Sequence, residues 1–336
     1  MARISFEVVP YCDELLHAYR TLLPELAPLI DAGKIAWKLR DHPVGPGAAA
    51  ICRSSTGAIV GLTAFQPARF IDGDDKLFCG YQSMDVAAAP DAVAPGMLLW
   101  LMRTFYEQHE YPFVYGFPND NAAPFHFGRQ LRWKSLGTAP MLWRPLRAGF
   151  ILRRLRLAGL DFSLPRFPGR RAALTRVTRF DEAHRAAWTA LRRLRTPKMA
   201  LDRAHDILNW RYSDNPAYSY DLWTKGDEAL AVSRLTDKHG ARILYICELM
   251  GGVTDMAAMV ETILDHYADQ KPEVAFAWAV EGSPVCAAFS QAGFFQLPDR
   301  LRPITINFGA RGSGRDPGFV PDRCEWMLSY LDSDTV

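Results

Sequence analysis

Apolar and polar residues follow a regular series of patterns over the first half of the chain. Five stretches show the alternation or the compact apolar run that is typical of strands: ISFEVV (4–9), AAAICRS (48–54), AIVGLTAFQPARF (58–70), KLFCGYQSMDVAA (76–88) and PFVYGFPN (112–119). Ser-Thr-Gly between the second and the third indicates a hairpin. Helical periodicity begins near Asp13, after Gly96 and after Asn119. The predicted order is therefore β, α, β-hairpin, β, α, β, α, and the apolar segment MLWRPL (141–146) follows it.

An eight-residue pattern occurs twice, 173 positions apart. AWKLRDHP (36–43) and NWRYSDNP (209–216) share a Trp, a basic residue, an Asp and a Pro in register. The flanking segments repeat in the same order: VPYCDELLHAYRTL (9–22) with TRFDEAHRAAWTAL (178–191), and PFHFGRQLRW (124–133) with PVCAAFSQAGF (284–294). Such ordered repetition predicts an internal duplication. We therefore expect one domain over 1–147, a connection over 148–173 and a second domain over 174–336.

Composition fits this two-domain prediction. The chain has 336 residues, of which 49% are hydrophobic and 23% are charged, as in ordinary globular proteins. No apolar run reaches the ~20 residues that span a bilayer, and the first residues contain no apolar signal segment. The six cysteines are scattered without a CxxC pair, and the eight histidines form no metal-binding motif. We expect a cytoplasmic protein without a metal.

Positive charge is concentrated between the two repeats. The segment Arg144–Arg179 contains ten arginines and one acid, Asp161, which gives +9, so the rest of the chain carries about −7 of the net +2. One interpretation is a solvated connection that packs its leucines on both domains. The other is a surface for anionic groups, such as lipid head groups, a nucleic-acid backbone or a ligand phosphate. The second interpretation would make the protein peripheral to the inner membrane.

The order of elements, together with two longer segments, resembles a GNAT (GCN5-related N-acetyltransferase-like) acyltransferase domain. These segments are QSMDVAAAPDAVAPGML (82–98) and YGFPNDNAAPFHFGRQLRW (115–133), and the second particularly resembles a subgroup common in bacterial envelope-polymer and lipid gene sets. The second half is similar more weakly, through its Trp motif, ILYICELM (243–250) and QAGFF (291–295). The resemblance implies an α/β (α+β) fold of two tandem GNAT-like domains. Each would be a mixed, splayed sheet flanked by helices, with acyl-CoA between the fourth and fifth strands.

The same resemblance implies where the co-substrate acyl-CoA would bind. In the family, backbone N–H groups at the start of the helix after the fourth strand hold the pyrophosphate. Here the turn is Val93-Ala94-Pro95-Gly96, which keeps a glycine but has Val93 where the family has Arg or Gln. The candidate CoA contacts are Val86, Ala87, Ala94, Gly96, Met97 and Asn119. In the second repeat the turn is Gly251-Gly252-Val253-Thr254, without a basic residue.

Catalytic candidates are polar side chains near the expected cleft. Amide formation from a thioester needs a deprotonated amine and a proton for the thiolate. The tyrosine that many family members use as the acid is missing, because its position falls at Gly128 and, in the second repeat, at Phe289. Strand alternation places Tyr81, Ser83 and Asp85 on one face, and Asp85 is our first candidate as a base or amine-binding group.

Three further polar residues are candidates with alternative roles. His126, expected on a helix surface, exchanges protons near neutral pH. Glu248 is either the base of the second repeat or a partner for an arginine. Asn119, with its neighbour Asp120, is expected to cap the following helix.

The function implied by the resemblance is an acyl-CoA-dependent N-acyltransferase that forms an amide on an amine acceptor. The chain is compatible with bacterial ceramide synthases, GNAT-like proteins that join a long-chain acyl group to a sphingoid amine. One alternative is a Fem-like transferase that uses aminoacyl-tRNA, although the arginines lack the interleaved aromatics that would stack on bases. The other is a non-catalytic GNAT-fold binding protein.

Overall fold

The chain folds into two β-sheets, each flanked by helices. The structure is a computed structural model that describes residues 4–90, 96–109, 113–154, 161–165, 169–238, 240–297, 302, 305–312 and 319–333. Its helices are α1 (Asp13–Leu22), α2 (Ala27–Asp31), α3 (Lys34–Leu39), α4 (Met97–Gln108), α5 (Ala123–Phe127), α6 (Ala148–Arg154), α7 (Arg185–Leu194), α8 (His205–Leu208), α9 (Val253–His266) and α10 (Pro284–Gln291). Within the described ranges, no helix combines the length and the hydropathy needed to cross a membrane.

The first sheet has the strand order β1-β2-β3-β4-β5-β15-β6, and β9 pairs with one end of β3. Its strands are β1 (Ser5–Pro10), β2 (Ala48–Arg53), β3 (Ile59–Asp72), β4 (Leu77–Ala88), β5 (Phe113–Gly116), β6 (Lys134–Thr138), β9 (Met199–Leu201) and β15 (Asn307–Gly312). Neighbouring strands are antiparallel except β4 and β5, which are parallel. The five strands predicted from the sequence of the first half are confirmed, as is the hairpin between β2 and β3.

The second sheet has the same topology in the order β8-β10-β11-β12-β13-β7-β14. Its strands are β7 (Met141–Pro145), β8 (Thr175–Val177), β10 (Asp221–Lys225), β11 (Ala229–Lys238), β12 (Ala241–Met250), β13 (Val274–Trp278) and β14 (Phe295–Gln296). Its fourth and fifth strands, β12 and β13, are again parallel. The two repeats therefore share one arrangement of strands, which agrees with an internal duplication.

The two sheets exchange one strand. β7 follows the first repeat in the chain but pairs with β13 and β14, while β15 comes from the second repeat and pairs with β5 and β6. Each exchanged strand occupies the same place in the sheet that receives it. The limits 1–147, 148–173 and 174–336 stay a prediction. A cut at residue 147 would leave each half without a strand of its own sheet.

The first sheet is covered on both faces. Leu15 and Tyr19 of α1 belong to the apolar cluster on one face, and Leu101 and Phe105 of α4 belong to the cluster on the other. Leu101 and Phe105 are fully buried. The sheet is thus the middle layer of three, and α4 begins where β4 approaches its end.

The repeated eight-residue pattern lies where the two repeats meet. The rings of Trp37 and Trp210 stack with centroids 4.3 Å apart and an interplanar angle of 11°. Each indole N–H donates to the backbone carbonyl of the other tryptophan, at 3.0 Å from Trp37 and 3.2 Å from Trp210. Reciprocal contacts of this kind are the mark of a two-fold relation between equivalent surfaces. The tryptophans of the two copies of the pattern thus contact each other through equivalent atoms.

Several arginines of the Arg144–Arg179 segment have carboxylate partners within the protein. The pairs are Arg144 with Glu261, Arg147 with Asp161, Arg171 with Asp265, Arg176 with Asp221 and Arg179 with Asp214. Arg144 is buried, so it belongs to no exposed surface. The side chains of Arg153, Arg154, Arg156 and Arg166 lie outside what the structure describes. These pairs favour the connection interpretation, and contact with an anionic membrane stays a prediction.

Candidate active site

The first sheet opens between its two parallel strands. Pairing of β4 with β5 runs from Tyr81 opposite Val114 to Ser83 opposite Gly116, whereas β4 continues to Ala88. A cavity of about 160 Å³ lies in the opening. Its walls are Ser83–Val86 of β4, Gly116–Asn119 of β5 and the following turn, Ala122, His126 and Trp133. This is the place at which the resemblance puts acyl-CoA.

Four of the ten residues predicted for the site line this cavity: Asp85, Val86, Asn119 and His126. Val86 is 40% exposed, so its side chain is accessible at the cavity wall. The Asn119 carboxamide oxygen accepts the backbone N–H groups of Asn121 and Ala122 at 3.1 and 3.0 Å, so Asn119 caps the turn before α5.

Asp85 lies on the opposite face of the sheet from the one that strand alternation predicts. Tyr81 packs on Phe105 of α4, but the Asp85 carboxylate accepts hydrogen bonds from the Tyr19 hydroxyl at 3.1 Å and the Lys38 ammonium at 3.2 Å. The cause is a β-bulge at the Leu62/Ala64 register shift, in which Asp85 has a left-handed φ of 51°. The predicted alternation is therefore wrong at this residue.

Lys38 and Asp85 form an ion pair that is nearly closed to solvent. Their side chains are only 4% and 11% exposed. Both bonds to Asp85 end on Oδ2, and in the described residues no hydrogen bond reaches Oδ1. The sequence did contain a signal for Lys38, because it is the basic residue of the repeated pattern. That signal indicated an internal duplication and did not indicate that Lys38 would pair with a residue of the site.

His126 is buried, not on a helix surface as predicted. Only 3% of the residue is exposed, because the short helix α5 turns His126 toward the sheet and leaves Phe125 46% exposed. Its Nδ1 lies 2.9 Å from the carbonyl oxygen of Ala122, which can only accept, so Nδ1 carries the proton and Nε2 keeps its lone pair. Burial lowers the pKa of His126. The imidazole is therefore neutral at neutral pH, with Nε2 able to take a proton.

The other candidates of the first repeat lie away from the cavity walls. Tyr81 packs edge-on against the stacked rings of Phe105 and His109. Ala87 and Met97 are buried in the apolar clusters on the two faces of the sheet. Gly96 precedes α4 with a left-handed φ of 84°, which suits a glycine. Ala94 lies outside the described residues.

The corresponding opening of the second sheet is filled by the chain itself. Pairing of β12 with β13 ends at Ile246 opposite Ala277, and Glu248 follows on β12 at the place of Asp85. The Ser329 hydroxyl donates to the Glu248 carboxylate at 2.7 Å, and the Tyr330 ring lies 4.7 Å from that of Trp278. Glu248 also lies 3.5 Å from the Arg203 guanidinium. Of its two predicted alternatives, Glu248 is thus placed as an arginine's partner.

The helix that follows β12 carries its own acid at its start. Asp255 lies in the first turn of α9, and its carboxylate accepts a hydrogen bond from the Lys225 ammonium at 2.6 Å. A carboxylate there uses the positive end of the helix that a pyrophosphate would need. The start of α9 thus already carries a lysine–carboxylate pair. Across the described part of the chain, no three His, Cys, Asp or Glu side chains are grouped so as to hold a metal ion.

Both mixed sheets of this protein separate between their fourth and fifth strands. This arrangement is the GNAT fold. No family model and no curated protein matches the sequence. Solved structures do share the fold. A GCN5-related N-acetyltransferase from Anabaena variabilis ATCC 29413 aligns with a TM-score of 0.63 and 10% identity, over 93% of this chain and 74% of that one.

Two other similar structures are named as N-acyl transferases. One is a probable N-acyltransferase from Enterococcus faecalis V583, with a TM-score of 0.58 and 11% identity over 93% of this chain and 73% of that chain. The other is Saccharomyces cerevisiae N-myristoyltransferase with bound myristoyl-CoA, with a TM-score of 0.57 and 10% identity over 99% of this chain and 85% of that chain. At these identities the likeness shows the fold.

Proposed function

We propose that this protein transfers an acyl group from acyl-CoA to an amine in the opening between β4 and β5. The observation that carries the proposal is the 160 Å³ cavity, whose walls bring together Asp85, Asn119 and His126. It lies in a fold shared with solved N-acetyl- and N-myristoyltransferases. The second opening is filled by residues 329–333, so we assign one acyl-CoA site to each chain.

The donor would be held mainly by backbone groups. Beyond Ser83 the edge of β4 is not paired with β5 in the described residues, so its amides and carbonyls are available to the pantetheine amides. The 12-residue helix α4 begins at Met97; the first N–H groups of an α-helix have no partner within the helix, and with its positive end they suit the pyrophosphate. Backbone donors need no particular side chain, which would explain how Val93 can stand where the family has Arg or Gln.

The proposed reaction starts from the neutral form of the amine, whose extra proton has gone to solvent, and then needs one proton acceptor. The amine nitrogen attacks the thioester carbonyl carbon, a C–N bond forms and the C–S bond breaks. Nε2 of His126 accepts the proton that the amine loses, and the imidazolium returns it to the CoA thiolate. Asp85, held through Oδ2 by Tyr19 and Lys38, presents Oδ1 to the incoming amine. This pathway does not need the tyrosine acid that is missing from the sequence.

For the substrates we propose a long-chain acyl-CoA and a lipid amine of the sphingoid type. The cavity has room for about five waters at ~30 Å³ each, which suits the thioester and the first carbons of a chain. A longer chain would leave the cavity past Val86, an apolar lining residue that is 40% exposed. Both substrates would be met at a membrane surface, and the cytoplasmic face of the inner membrane is our proposed location.

A Val86→Trp substitution should abolish acyl-CoA binding. Val86 lines the cavity and is partly exposed, so an indole can fill the opening without entering the core. A ligand present at 100 times its Kd adds about 2.7 kcal/mol to the free energy of unfolding. We expect palmitoyl-CoA, kept below its micelle concentration, to raise the Tm of the wild type and not that of the variant. Acetyl-CoA should stabilise the wild type less.

Leu77→Trp is the matched control, because Leu77 lies on the same strand, is 57% exposed and is distant from the cavity in sequence and register. It should keep the full response. An equal response of Val86→Trp and wild type would refute the assignment of the site. A wild type that responds to bulk RNA in a salt-sensitive way, and to no CoA compound, would favour the aminoacyl-tRNA alternative. Stabilisation by neither would favour a non-catalytic binding protein.

A further inference from the structure

The exchanged strand β15 touches the wall of the proposed acyl-CoA cavity. The Asn307 carboxamide donates to the Asp120 carboxylate at 3.0 Å, and the Asn307 backbone N–H donates to the Pro118 carbonyl at 3.2 Å. The next residue, Phe308, stacks on Phe117 with ring centroids 5.1 Å apart. Phe117 and Pro118 line the cavity. One end of β15 therefore holds the turn that forms one cavity wall.

The other end of β15 reaches a second wall. The guanidinium of Arg311 lies over the Tyr106 ring, 4.4 Å from its centroid. The Tyr106 hydroxyl accepts a hydrogen bond from the Trp133 indole N–H at 2.8 Å, and the Trp133 ring lines the cavity. Arg311 thus contacts the residue that fixes the orientation of Trp133.

The other exchanged strand, β7, has an arginine at the equivalent register, but this arginine makes different contacts. Arg144 lies opposite Ala275 of β13, as Arg311 lies opposite Val114 of β5. Arg144 is buried and donates to Glu261 at 2.5 Å and to the Ala292 carbonyl at 2.6 Å. In the sheet whose opening is filled, the exchanged arginine forms a buried ion pair. In the sheet that contains the cavity, it supports an aromatic wall.

We propose that β15, supplied by the second repeat, is a positioning element for the cleft of the first, and that Asn307 is its positioning residue. Asn307 does not touch the reacting atoms; it fixes the turn at Pro118–Asp120 and through it the wall that faces the donor. This inference rests on the proposed function. Under this proposal, the second repeat contributes to the acyl-CoA site of the first repeat.

The test exchanges the two side chains of one hydrogen bond, Asn307 and Asp120. Asn307→Ala removes the bond and Asn307→Asp opposes two carboxylates, and each should lower kcat/KM for acyl-CoA about tenfold, mainly through KM. The double variant Asn307→Asp/Asp120→Asn restores an amide-to-carboxylate bond in the opposite direction and should recover to within about twofold. Asn121→Ala is the control, because it removes a side chain of the same turn that makes no hydrogen bond in the described residues.

A second readout needs no ligand. Amide hydrogen exchange of Asn121 and Ala122, which donate to Asn119, should rise about tenfold in Asn307→Ala and return in the double variant. Unchanged kcat/KM and exchange in Asn307→Ala, or no recovery in the double variant, would overturn the proposal. Failure of the wild type to bind any acyl-CoA would instead overturn the proposed function, and the exchange rates would still decide the role of Asn307.

Discussion

Replacing His126 by glutamine should lower kcat by at least about a hundredfold, since a well-placed general base contributes roughly 10²–10⁴ in rate. Glutamine has a similar size, but its carboxamide cannot take up a proton as Nε2 of His126 can. Acyl-CoA binding should change little. The measurement is steady-state kinetics of amide formation together with the palmitoyl-CoA thermal shift.

The pH profile separates a catalytic role from a structural one. A base acts when it is unprotonated, and burial lowers the pKa of His126 below its usual 6.5. The ratio of the wild-type rate to the residual rate of His126→Gln cancels the protonation of the amine itself, which lowers both rates as the pH falls. This ratio should be constant from neutral pH down to the lowered pKa of His126 and fall only at more acidic pH.

His109→Gln is the control for His126, because burial also lowers the pKa of His109, while its ring stacks on Phe105 away from the cavity. It should keep nearly normal kcat. A His126→Gln variant with wild-type kcat would exclude His126 as the base and leave Asp85 as the remaining candidate at the cavity.

Periodicity and repetition predict much of this fold, but not the exchange of strands. The alternation in 4–9 and 76–88 defines strands whatever their partners are. MLWRPL (141–146) could pair with β6 of the first sheet or with β13 of the second. A strand that is buried on both faces is apolar throughout, so its sequence does not indicate which strand it pairs with. The two repeats also offer equivalent edges. Only the packing of the whole molecule decides that β7 and β15 cross over.

The site was predictable to the extent that it depends on local spacing. Asn119 caps its turn through its own sequence, and Val86 follows from its place on β4. Asp85 was placed on the wrong face because a bulge adds one residue and reverses the alternation beyond it. His126 was misplaced because five residues of helix are too few to show which side faces the sheet. The filling of the second opening depends on residues 329–333, far along the chain.

Removing the cation beside Glu248 should have the largest effect on stability. Arg203 is fully buried and donates to Asp332 at 2.8 Å, and it lies 3.5 Å from Glu248. An Arg203→Met variant keeps most of the packing volume but leaves two buried carboxyl groups without their cation. Breaking a buried ion pair costs roughly 3–5 kcal/mol, a large part of the ~5–15 kcal/mol of a typical domain. We expect a correspondingly lower free energy of unfolding in denaturant titrations.

The loss of unfolding free energy in Arg203→Met should depend on pH, and the burial of the two carboxyl groups determines the direction. Burial raises the pKa of both Glu248 and Asp332 above the values of the unfolded chain, and the attraction of Arg203 opposes that rise. A raised pKa in the folded state gives stability that is complete below the unfolded pKa and is lost as pH rises through the folded one. Without Arg203 both pKa values rise further, so the deficit of Arg203→Met should be smaller at pH 5 than at pH 8.

Arg185→Met serves as the control, because Arg185 lies on α7 with its side chain 64% exposed and should change stability by less than about 0.5 kcal/mol. Ser329 and Asp332 belong to the segment that fills the second opening, so Arg203→Met should also speed amide exchange over 326–333. A deficit that does not vary with pH would mean that loss of packing, and not uncompensated charge, sets the cost. Faster exchange accompanied by a second equivalent of bound acyl-CoA would show that only this segment keeps the second repeat from binding the donor.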